Sequence, residues 1–151
     1  MKQSIVSFLF LFILGSTLQA QIKSPSEFLP NYGKQITFYH QTEAYFGHLV
    51  KESSFIKHQV YGQTNEERNL NVYFVSTPDN LAILDQIRNN NLSAIGLSNQ
   101  KNQKIGDKLI VWISFSVHGN EYAGMESAMT VAYELLNPAN KESKEWLKNT
   151  I

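Results

Sequence analysis

His118 and Glu121 stand three residues apart in the stretch VWISFSVHGNEYAG, residues 111–124. An imidazole nitrogen and a carboxylate at that spacing, with Gly119 between them to let the backbone bend, can converge on one point. Together they suit a borderline-soft divalent ion such as Zn²⁺. A catalytic zinc takes three protein ligands and keeps one position open, so this turn supplies two of the three. The same residues have a plainer reading, in which His118 caps the following helix or bonds a neighbouring carbonyl. The pattern alone leaves both open.

The flanking elements favour a functional turn. From Leu109 to Val117 the apolar residues crowd together instead of alternating with polar ones. Such a run predicts a strand covered on both faces, as at the centre of an α/β sheet. Beyond the turn, Met125, Ala128, Met129, Ala132, Leu135 and Leu136 recur at helical spacing and predict a helix with one apolar face. In open α/β sheets ligands bind at the carboxyl ends of strands, which is where this pattern puts His118.

Upstream, residues 21–36 carry Pro25, Pro30 and Gly33 and predict an extended lead-in draped over the domain. Tyr39, Thr42, Tyr45, Phe46 and Leu49 predict a helix over about 38–51. Phe55–Tyr61 and Leu70–Val75 read as two strands joined by a polar turn, a hairpin. Thr77 and Pro78 form a helix start, a capping hydroxyl followed by proline at the first helical position. Leu81, Leu84, Ile87 and Arg88 continue that helix, with Asn89–Asn91 expected to stop it. Residues 98–108 read as a polar surface loop, and 141–149 as a further short helix. The order predicts an α/β domain with a mixed sheet.

Composition narrows the function classes. Zero formal net charge leaves no electrostatic footprint for nucleic acid. The hydrophobic fraction of 42% is enough for a packed core and argues against disorder. There is no cysteine, so neither disulfides nor a cysteine-linked lipid anchor contributes. Residues 1–20 have the layout of a secretory signal peptide: Lys2, an apolar run from Ile5 to Leu14, a Gly15-Ser16-Thr17 break and Ala20 as the small residue before cleavage. The run is too short to span a bilayer. The expected compartment is extracytoplasmic, secreted or periplasmic, without stable membrane insertion after cleavage.

Several segments resemble one family in order. SFSVHGNEYAGMESAMTVAYELL is similar to the first metal-binding segment of the M14 zinc carboxypeptidases, in which a central strand ends in H-x-x-E and a helix follows. YGQTNEERNLNVYFVSTPDNLAILDQIR resembles the family's G-x-T-x-E-G-R-x-L stretch, its following strand and its turn. PSEFLPNYGKQITFYHQTEAYFGHL resembles the lead-in helix of bacterial secreted members. Glu67 stands where the family usually has glycine, at a position read as structural, and the departure is expected to have a small effect.

The resemblance implies a three-layer α/β/α domain of mixed sheet, of which residues 37–151 are the N-terminal part and which is incomplete. It implies Zn²⁺ as cofactor, His118 and Glu121 as its first two ligands, and a peptide or protein substrate that loses C-terminal residues. The family's third histidine ligand, substrate-binding arginine and catalytic glutamate have no counterpart in these segments, so the expectation is a chain inactive alone. The alternative is a secreted, non-catalytic α/β module that binds a peptide or partner. His40, His48 and His58 match no ligand position. Glu126 and Glu134 read as a solvated helix face, and Trp112 and Trp146 as core anchors.

Overall fold

The computed structural model describes residues 21–97 and 108–151. The expected signal peptide, residues 1–20, and residues 98–107 of the expected loop lie outside that range. The architecture is α/β: a two-stranded antiparallel sheet with several helices.

The lead-in is not simply extended. It contains a short helix, α1 (Pro25–Phe28), closed by a capping box: Ser24 Oγ accepts from Glu27 N, and Glu27 Oε2 accepts from Ser24 N at 2.7 Å. Pro25 fits the first turn, where a missing N–H costs nothing. Helix α2 (Tyr39–Glu52) buries Thr42, Tyr45, Phe46 and Leu49, the expected face.

Strands β1 (Ile56–Gln63) and β2 (Asn69–Val75) form the expected hairpin, paired from Ile56 opposite Val75 to Gln63 opposite Asn69, with an irregularity between Val60 and Gly62. In the connecting turn, Thr64 N donates to Arg68 O at 2.8 Å and Glu67 adopts φ 59°. That left-handed conformation favours glycine, the residue that the resemblance places at this position.

Thr77 and Pro78 start a helix as expected, but it breaks at Ile83 into α3 (Pro78–Ala82) and α4 (Leu84–Ala94). The asparagine run does not stop α4; Asn91 Nδ2 donates back to Ile87 O within it. Gly96 does, at φ 75°: Leu97 N bonds Leu92 O and Gly96 N bonds Ser93 O, the paired closure of a helix end by a left-handed glycine.

Helices α5 (Ala123–Leu136) and α6 (Lys141–Leu147) complete the described chain. The core joins Ile22, Tyr45, Phe46, Leu49 and Ile56 to Ala128, Met129, Ala132 and Leu136 of α5. A polar lock ties Ser76 and α3 to the end of α6 and the residues after it: Ser76 Oγ donates to Thr150 O at 2.7 Å, and Asn80 Nδ2 to Leu147 O at 3.0 Å.

The expected central strand over 109–117 differs most. Residues Leu109 and Val111 pair in parallel fashion with Asn149–Ile151 and go no further. Most of the apolar side chains from Leu109 to Val117 stay exposed. An apolar run is made to be covered on two faces, and no described element covers it. Trp112 is 73% exposed and Trp146 53%, so neither anchors the core.

Candidate metal centre

The chain leaves the extended segment through a tightly made turn. Ser116 takes φ 53°, and its hydroxyl donates to the backbone oxygen of Glu121 at 2.9 Å. That oxygen also accepts from Gly124 N at 3.1 Å, while Glu121 N donates to His118 O at 3.0 Å. Gly124 has to be glycine: an added Cβ would stand 2.5 Å from Ser116 Oγ and 2.7 Å from Ser116 N. Gly119, by contrast, faces open space and has no left-handed φ, so the bend expected of it is supplied by Ser116.

This frame brings the two sequence-predicted ligands together. His118 Nδ1 lies 2.9 Å from Glu121 Oε1, with the side chains 72% and 55% exposed. Two donor atoms on a tetrahedral zinc stand about 3.4 Å apart, given bonds of about 2.0–2.1 Å. The pair therefore needs only a small side-chain opening to flank an ion, and its donors are of the type zinc takes. Among the described residues no group of three or more His, Cys, Asp or Glu gathers around a common point.

The other histidines are engaged elsewhere. His48 stacks on Phe28 at 5.1 Å, and its Nε2 accepts from Lys23 N at 3.0 Å; burial holds its pKa below the usual imidazole value. His58 Nε2 meets Asn71 Oδ1 at 2.6 Å, and Asn71 Nδ2 donates to Glu43. Burial pushes the Glu43 carboxyl above the usual carboxylate range, against the bonds from Tyr73 and Asn71 and the charge of His58. His40 is exposed beside Phe38.

Glu126 departs from its expected solvated face: its Oε1 accepts from Thr37 Oγ1 at 2.9 Å. Glu134 stays exposed, with Oε2 accepting from Asn140. The sequence pattern around the turn points to no role for Ser116 or Gly124. The one signal in it was a glycine just inside the helix that follows the turn, where glycine disfavours helix and needs a reason.

The zinc carboxypeptidase family, peptidase M14, matches residues 42–151. The chain belongs to the M14 zinc carboxypeptidase family. The match contains the hairpin, the turn with His118 and Glu121, and all of α5. Membership carries a hydrolase function of zinc carboxypeptidase type at family level, with Zn²⁺ as the family's metal and peptides or proteins as its substrates. No curated protein and no solved structure matches the chain. Among the described residues no helix is long and apolar enough to cross a membrane.

Proposed function

We propose that the chain carries part of a zinc metallocarboxypeptidase centre, with His118 and Glu121 as two of the metal's protein ligands. The supporting observation is the 2.9 Å approach of His118 Nδ1 to Glu121 Oε1, on a turn inside the family-matched span. When bound, zinc supplies Lewis-acid polarisation of a scissile carbonyl and a more acidic water.

The chain's own residues do the rest of what can be assigned. Ser116 and Gly124 hold the Glu121 backbone, which limits where its carboxylate can point. His118 and Glu121 are both open to solvent, so a proton that His118 gave up on holding the ion would have a direct way out. Removing C-terminal residues from a peptide also needs a third ligand, a carboxylate base and a cation for the substrate's terminal carboxylate. No third ligand-type residue joins the pair among the described residues. On this reading the chain by itself binds zinc weakly and does not turn over peptide. The signal-like layout of residues 1–20 supports an extracytoplasmic protein.

Zinc titration of the chain beside His118→Ala tests the assignment. The expected result is one weak equivalent in the parent chain that the variant loses. Equal binding by both would overturn it.

A further inference from the structure

The turn is held from behind by residues outside the family-matched span. Tyr32 and Thr37 both precede residue 42, where the match begins. The Tyr32 hydroxyl donates to the backbone oxygen of Glu126 at 2.9 Å and meets Thr130 Oγ1 at 2.5 Å. Thr37, buried at 3% exposure, donates from Oγ1 to Glu126 Oε1 at 2.9 Å. Glu126 is thus gripped at both main chain and side chain by one short stretch of the lead-in. It lies in the first turn of α5, two residues after Gly124, whose amide bonds the Glu121 carbonyl.

We infer that Tyr32 and Thr37 are positioning residues for the His118–Glu121 pair, acting through the first turn of α5. The inference rests on the zinc reading above. The physical ground is that the ligand side chains are exposed and carry no packing of their own to hold them. Their placement depends on the backbone of residues 116–124, and that backbone is anchored at one end by Ser116 and at the other by the start of α5. A helix end is free to fray unless something outside the helix fixes it. Tyr122, at the N-cap, makes no capping bond, so the helix has no side-chain cap of its own there. The lead-in supplies the restraint, and it does so with hydroxyls that conservative substitutions can remove singly.

The test compares Tyr32→Phe, Thr37→Val and their double variant with the parent chain. Tyr32→Phe removes only an oxygen, and Thr37→Ser serves as a rescue control because it keeps the donor. Two readouts are taken: Zn²⁺ or Co²⁺ affinity, and amide hydrogen exchange across residues 116–126. The expected result is faster exchange in that segment and a loss of affinity of roughly tenfold in the double variant, the low end for supporting hydrogen bonds behind a metal ligand. Thr37→Ser, with Tyr32 intact, should match the parent chain in both. Unchanged exchange across 116–126 overturns the inference, as does an affinity loss that only follows a lowered unfolding midpoint and is not rescued by serine. If His118→Ala leaves metal binding unchanged in the parent, the zinc reading fails, and the exchange result still decides whether the lead-in holds the turn.

Discussion

Gly124 lies so close to Ser116 that a methyl group cannot be placed on it: the added carbon would stand 2.5 Å from Ser116 Oγ and 2.7 Å from its backbone nitrogen. The Ser116 contact involves backbone, which cannot swing aside as a flexible side chain can. Gly124→Ala should therefore push the turn open. The expected cost is about 1–3 kcal/mol, typical of overpacking. Urea unfolding should give a lower midpoint, and zinc titration a lower affinity. A variant as stable as the parent, with unchanged zinc binding, would refute the close approach.

Glu67 offers the opposite case. It holds φ 59°, and of the two neighbours Glu66 and Glu67 it is Glu66 that pairs with Arg68, at 2.7 Å. The left-handed conformation costs a non-glycine residue about 1–2 kcal/mol. Glycine's greater freedom in the unfolded chain takes back about 0.5–1 kcal/mol. Glu67→Gly should thus stabilise the protein by about 0.5–1 kcal/mol and raise the thermal midpoint by about 2–4 °C. A lowered midpoint would show that the strain is not there.

His48 sets a pH dependence. Its Nε2 accepts from Lys23 N, so Nδ1 carries the proton of the neutral ring. Burial lowers its pKa from the ordinary 6.5, with Lys23 and Lys51 adding to the effect and Glu52 opposing it. The unfolded chain then binds a proton that the folded one resists, so stability rises with pH across this window. The thermal midpoint should be level above about pH 7 and fall as pH drops below the ordinary histidine value. His48→Gln, which can still accept from Lys23 N, should flatten that fall. Glu43 acts with the opposite sign and lower in pH: its raised carboxyl favours the folded state as acid protonates it. A midpoint that does not change between pH 7.5 and 5.5, values on the order of one unit either side of an ordinary histidine, would exclude the His48 contribution.

Asn80 is 5% exposed, and its amide donates to Leu147 O, Lys148 O and Ser76 Oγ. Asn80→Ala leaves carbonyls at the end of α6 without that donor, at a cost of about 1–3 kcal/mol. Asn91→Ala, which removes one bond to Ile87 O within α4, should cost less than about 1 kcal/mol. The two unfolding midpoints, measured side by side, check the ordering. Equal losses would mean that the lock between α3 and the chain's last residues contributes nothing special.

Local chemistry made much of the fold legible. The apolar face of α2, the hairpin, the Thr77–Pro78 start and the apolar face of α5 each rest on neighbours three or four residues apart, or on alternation along a strand. Where the structure differs from the local pattern, the cause lies in conformation or in distant contacts. The asparagine run was expected to end α4, but the left-handed glycine at Gly96 ends it, one conformation outweighing three weak breakers. Trp112 and Trp146 were expected inside because large aromatics are usually covered, and cover comes from other elements. Glu126 was expected in solvent because nothing nearby in sequence could show that Thr37 would reach it.

The sequence by itself determined the family, the α/β character and the identity of the two candidate ligands, because residue types and short spacings are local properties. The tertiary structure decided that His118 Nδ1 and Glu121 Oε1 meet at 2.9 Å, that Ser116 makes the bend and Gly124 admits it, and that Tyr32 and Thr37 grip Glu126 across some ninety residues of chain. Those contacts depend on where distant segments come to rest. That placement is set by the packing of Ile22, Tyr45 and Leu49 against Met129 and Ala132, a core whose members no local pattern joins.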